Sequence, residues 1–109
     1  MATPKAFYLL DKRTIKRTGN KVAAWLAVEF REKQTVEDGS GKTFWSSMWR
    51  VSINCKDETL LTLSTTHYES LERQGKQVFT FTNEDKPEWY SAVMPDTVGE
   101  SLKDRLCAK

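Results

Sequence analysis

The sequence predicts an α+β domain in which an antiparallel meander of about six strands carries one C-terminal helix on one face. Three observations point there. Apolar residues recur at every second position through most of the chain. Turn signals separate these runs at short intervals. Apolar spacing of helical period appears only at the end, behind a capping sequence. Consecutive strands joined by short turns pair antiparallel, and a lone amphipathic helix must bury its stripe against the sheet they form.

Composition allows this and excludes much else. A chain of 109 residues has room for one core, so a single domain is expected over residues 5–109, with 1–4 a flexible start. The apolar fraction of 39% is modest, yet four Trp, five Phe and three Tyr supply large groups that disordered chains lack. Seventeen Lys and Arg against fifteen Asp and Glu leave +2, too little to drive binding to nucleic acid or an acidic membrane unless the charges cluster. The run Ala23–Val28 is far shorter than the roughly 20 residues a membrane helix needs, so no transmembrane segment is expected. Met1-Ala2-Thr3-Pro4 has no basic and apolar leader of the secretory kind.

The elements follow in order. Lys5 to Leu10 is a short aromatic and aliphatic strand closed by Asp11, and RTIKR leads into TGNK, where Gly19-Asn20 offers the positive φ angles of a tight hairpin. In KVAAWLAVEFRE, Val22, Ala24, Leu26, Val28 and Phe30 share one face of a second strand. KQTVEDGSGK has two glycines, charge and no period, and reads as an exposed, mobile loop. In WSSMWRVSINC, alternation puts Trp45, Trp49, Val51, Ile53 and Cys55 on one side, leaving Phe44 and Met48 on the other. ETLLTLSTTHYES and KQVFTFT, separated by RQGK, continue the sheet.

The helix is expected from Val98. Thr97 and Glu100 fit a Thr-x-x-Glu capping box. Val98, Leu102 and Leu106, at i, i+4 and i+8, form a narrow stripe about three turns long. A helix this short is marginal alone and needs the sheet.

Only two cysteines are present. Their number alone leaves open two reduced, unrelated thiols in a cytosolic protein. Their placement favours a bridge: Cys55 closes the apolar row beneath the helix, and Cys107 lies in the helix's last turn. A Cys55–Cys107 disulfide would pin helix to sheet, and it places the protein in an oxidising compartment.

The chain then resembles a known family. In LLDKRTIKRTGNKVAAW, an acidic residue ends the first strand, and Ile15, the Gly19-Asn20 turn, Val22 and Trp25 follow in the family's pattern. The cysteine after WRVSIN, the run PEWYSAVMPDTVGESL and the closing Leu106-Cys107 continue it. Together these resemble the surface-adhesin protein E-like domain of Gram-negative bacteria over about residues 7–107. The resemblance implies an exported, envelope-attached or secreted domain with a sheet and a disulfide-tethered helix. It also implies an adhesin for host matrix or serum proteins, able to pair with a second copy. The competing reading is a structural or accessory component of a periplasmic or envelope assembly.

Residue chemistry argues for binding rather than catalysis. His67, the only histidine, has no companions from which to build a three- or four-ligand metal site. Beside Ser64 or Ser70 it shows no nucleophile motif. DGSGK lacks the spacing of a phosphate loop. Neither cofactor nor metal is therefore expected. Two candidate contact surfaces remain. Trp25, Phe44 and Met48 could form an apolar patch for a protein partner or a second copy. Arg13, Lys16, Arg17 and Lys21, with Lys12, make the first hairpin basic, suited to an acidic protein or polysaccharide. Nucleic acid is disfavoured, because basic hairpins commonly serve as solvated edges that discourage aggregation.

Overall fold

The computed structural model describes residues 2–108. Six strands are present: β1 Ala6–Thr18, β2 Lys21–Thr35, β3 Thr43–Asn54, β4 Thr59–Tyr68, β5 Gln77–Thr82 and β6 Ser91–Ala92. One helix, α1 Val98–Cys107, closes the chain. The sheet runs β1-β2-β3-β4-β5 with all pairs antiparallel, and β6 adds to β4 beyond the end of β5. The meander and its single closing helix are thus as the alternation and cap imply.

Period two sets the burial. Along β2, Val22, Ala24, Leu26 and Val28 are buried while Ala23, Trp25 and Ala27 are only partly so. The register stacks Val22 on Ile53, Ala24 on Val51 and Leu26 on Trp49. These residues, with Ala6 and Tyr8 of β1 and Leu102 and Leu106 of α1, make one core on the helix side of the sheet. Full burial of each of these leucines is worth about 1.5–3 kcal/mol, which is what holds so short a helix down.

The first hairpin carries its positive φ on Gly19 alone of the two loop residues, at 59°. That matches a type II′ turn, in which the first central position is the glycine. The first strand is longer than Lys5–Leu10 suggests, because it resumes after an irregularity between Asp11 and Lys16. There Thr14 Oγ1 donates to Asp11 O at 2.7 Å and accepts from Trp25 N at 2.9 Å, replacing ladder bonds the bulge removes.

A second irregularity matters more. Glu29 pairs with Ser46 but Gln34 with Phe44, so residues 30–33 of β2 stand opposite Trp45 alone. Strand β2 therefore continues through Thr35 into the segment expected to be loop, and Val36 behind it is buried. The exposed tip is confined to 37–42.

The helix begins as the capping residues foretell. Thr97 Oγ1 accepts from Glu100 N at 3.3 Å. Glu100 Oε1 reaches back to Asp96 N at 3.3 Å rather than to the Thr97 amide of a standard box. Cys55 and Cys107 are bonded, with Cα atoms 5.6 Å apart across a 52-residue separation, inside the usual disulfide range.

Candidate functional site

Every side chain on the sheet belongs to one of two faces, and the helix occupies one of them. The other face carries no α-helix: residues 70–73 cover it at Glu29 and Ser46, residues 83–90 cover it at Ser52, and the stretch between them is open. Its rows follow from the register. Phe7 of β1 lies beside Glu29, Leu9 beside Ala27 and Met48, and Trp25 beside Arg50 and then Ser64 and Thr82. Lys16, Ala23, Ser52 and Leu61 form the next row, followed by Thr18, Lys21, Asn54 and Thr59. Beside the Glu29–Arg73 ion pair, the β1 side of the upper half is apolar, with Phe7 44% and Leu9 48% exposed. The lower half holds a groove of about 600 Å³ lined by Lys16, Lys21, Trp25, Arg50, Ser52 and Asp85, among others.

The groove has its own polar network. Lys21 Nζ sits 3.2 Å from Asp85 Oδ1 and 4.9 Å from the centre of the Tyr90 ring. Tyr90 OH donates to Asp85 Oδ1 at 2.6 Å and lies 2.7 Å from Ser52 Oγ. The tyrosine hydrogen bond, then the lysine, holds the Asp85 carboxyl below its ordinary range. Its partners move the other way: Asp85 raises the Lys21 ammonium, and burial followed by Asp85 raises the Tyr90 hydroxyl.

The four basic residues named from the hairpin separate. Lys16 and Lys21 line the groove. Arg13 pairs with Asp11 at 3.2 Å, which lowers the carboxyl and raises the guanidinium. Arg17 lies on the helix side, where its Nη1 donates to Leu106 O at 2.6 Å. It satisfies a terminal carbonyl and sits at the negative end of the helix dipole.

The apolar trio separates too. Trp25 and Met48 lie on the open face, both half-buried. Phe44 does not join them: it is 6% exposed on the helix side, edge-on to Phe30 at 5.4 Å and stacked on His67 at 3.7 Å between ring centres. The strict alternation by which Phe44 and Met48 would share a face does not hold across Trp45, where the register of β3 with β2 slips. His67 in turn lies between Phe44 and Phe79, with Nδ1 hydrogen-bonded to Ser47 Oγ at 2.5 Å. Burial pushes its pKa down. Among the described residues no group of three His, Cys, Asp or Glu gathers as a metal ion would require.

Arg50, Ser52, Asp85 and Tyr90 were not legible as a site. A signal existed for Arg50, which alternates with Trp49 and Val51 and so belongs with Met48 on the second face. Asp85 and Tyr90 reach the groove from an irregular segment, where no period announces direction.

Comparison with known proteins bears on what such a face is for. The protein-family model for surface-adhesin protein E matches residues 1–108. The chain belongs to the surface-adhesin protein E family. No curated protein sequence matches it. Solved protein E structures share the fold at low identity. The selenomethionine form of Haemophilus influenzae protein E matches with a TM-score of 0.65 at 17% identity, covering 100% of this chain and 90% of that one. A second crystal form gives 0.65 at 15%, covering 98% and 90%. Protein E from non-typeable Haemophilus influenzae gives 0.61 at 15%, covering 98% and 78%. Membership of this adhesin family implies an exported or surface location, in keeping with the disulfide. No helix among the described residues is long and apolar enough to cross a membrane.

Proposed function

We propose that this chain is an exported cell-envelope binding module, an adhesin domain that engages host matrix or serum proteins through the open face of its sheet. The observation that carries the reading is that the middle of this face and its β1 side are left uncovered, between residues 70–73 over Ser46 and residues 83–90 over Ser52. Phe7 and Leu9 stand out from it beside Trp25 and Met48, next to a groove whose floor bears Arg50. An apolar patch rimmed by charge is the usual anatomy of a contact surface on a soluble domain. Family membership supports adhesion as its use.

The test is panning of the oxidised, folded protein against immobilised matrix and serum proteins. Binding to at least one is expected, and Met48→Lys should weaken it at least tenfold without lowering the melting temperature by more than a few degrees. No binding to any of them, with capture instead of a partner from periplasmic extract, would favour an accessory part of an envelope assembly.

A further inference from the structure

The groove on the open face is more specific than a general contact surface. Of its four charged groups, Asp85 already accepts hydrogen bonds from Lys21 and Tyr90. Lys16 and Arg50 make no side-chain hydrogen bond or ion pair among the described residues. Arg50 is half-buried on the central strand β3, across from Trp25. Its charge helps to lower the Asp85 pKa, but Asp85 makes no hydrogen bond to it, so the forked guanidinium donors are left for an anionic oxygen pair.

The rest of the lining identifies the kind of anion. Thr18, Ser64 and Thr82 bring hydroxyls, Asn83 brings an amide oxygen, its Nδ2 already donating to Thr62 O, and Ala23 leaves the floor low between Lys16 and Ser52. Trp25 supplies one large apolar surface. Hydroxyl and amide groups match sugar hydroxyls, an indole packs against the C–H side of a pyranose ring, and two unspent cations match acidic substituents. A nucleic acid fits less well. It would require cations spaced along a phosphate track, whereas Arg13 and Arg17 are turned to Asp11 and to the end of α1.

We propose that this groove binds an acidic saccharide, a glycan segment whose sulfate or carboxylate groups pair with Arg50 and Lys16 while a sugar ring packs on Trp25. The assignment rests on the open face being the contact surface, and not on any host protein binding there.

The experiment is calorimetric titration of the full chain with a heparin-derived tetrasaccharide and with a hyaluronan tetrasaccharide. A single-stranded oligonucleotide and an acidic peptide of equal charge serve as comparators. At least one saccharide should bind, more weakly as salt rises. Arg50→Gln should weaken binding about tenfold or more, as loss of a charge-assisted contact does. Trp25→Ala should weaken it without reducing the salt dependence. Lys16→Gln, on the exposed edge strand, gives the same reading should Arg50→Gln fail to fold. Equal binding by wild type and both charge variants would overturn the assignment. So would tighter binding of the oligonucleotide or the peptide, or no saccharide binding at all. Saccharide binding without any host-protein binding would uphold the groove and remove the reading of the previous section. The converse pattern would do the reverse.

Discussion

His67 shows how one side chain's surroundings set a solution property. Its ring is stacked between Phe44 and Phe79, and burial disfavours its charged form. The unfolded chain therefore takes up the proton first, near the ordinary histidine value of 6.5. The stability contribution is complete above that value and is lost as pH falls through the histidine range toward the lower folded pKa. Asp11, Asp38 and Asp85 are held below 3.8, so the stability they carry is lost only at more acid pH. We expect a lower melting temperature at pH 5 than at pH 7.5, and a smaller drop between the two in His67→Phe. That variant leaves the buried Ser47 hydroxyl without its partner, so the pH dependence and not the absolute stability is the readout. An unchanged slope would mean the ring titrates as it does in water. The sequence hid this environment. Nothing near His67 in the sequence announces the rings of Phe44 and Phe79 on either side of it, and Phe44 meets it beyond the slip between β2 and β3.

At the scale of elements, legibility divides along local and non-local lines. Helix α1 could be read almost whole, because its cap, stripe and terminal cysteine lie within a dozen residues of one another. The four-against-one slip opposite Trp45 could not, because it is a property of two strands and appears in neither alone. Closing a loop of about 50 residues is worth roughly 4 kcal/mol in the chain-entropy model, a large share of the 5–15 kcal/mol by which domains are stable. Reduction, or the pair Cys55→Ala and Cys107→Ala, should therefore lower the melting temperature by about 15 °C or more. Thr97→Ala, which removes the acceptor for Glu100 N, should cost about 1 kcal/mol in denaturant titration. Additive loss in the combined variant is the expected result, since cap and disulfide stand at opposite ends of α1.

For the whole molecule the question is how a sheet with one open face and two edges stays dispersed. Strand β1 is 13 residues long, lies at the edge and exposes Phe7 and Leu9, all features that invite pairing with another chain. Its cations divide the protective and functional work among themselves. Lys16 faces the groove, and Arg17 caps the helix through Leu106 O. Lys12 and Arg13 stand exposed at the irregularity that breaks the edge between Asp11 and Lys16. A charged, bulged edge resists edge-to-edge addition because a docking strand would have to bury those charges and match a broken ladder. Replacing Lys12 and Arg13 together with valine removes the charge and raises strand propensity without touching the core or the groove. We expect light scattering of that double variant to rise with time and concentration while the wild type stays constant, and its saccharide titration to be unchanged when measured fresh and dilute. Stable scattering in the variant would show that the edge is guarded by its geometry alone. A lost saccharide signal would instead move Lys12 or Arg13 into the groove's working set, and so blur the division of labour that the register draws across this one hairpin.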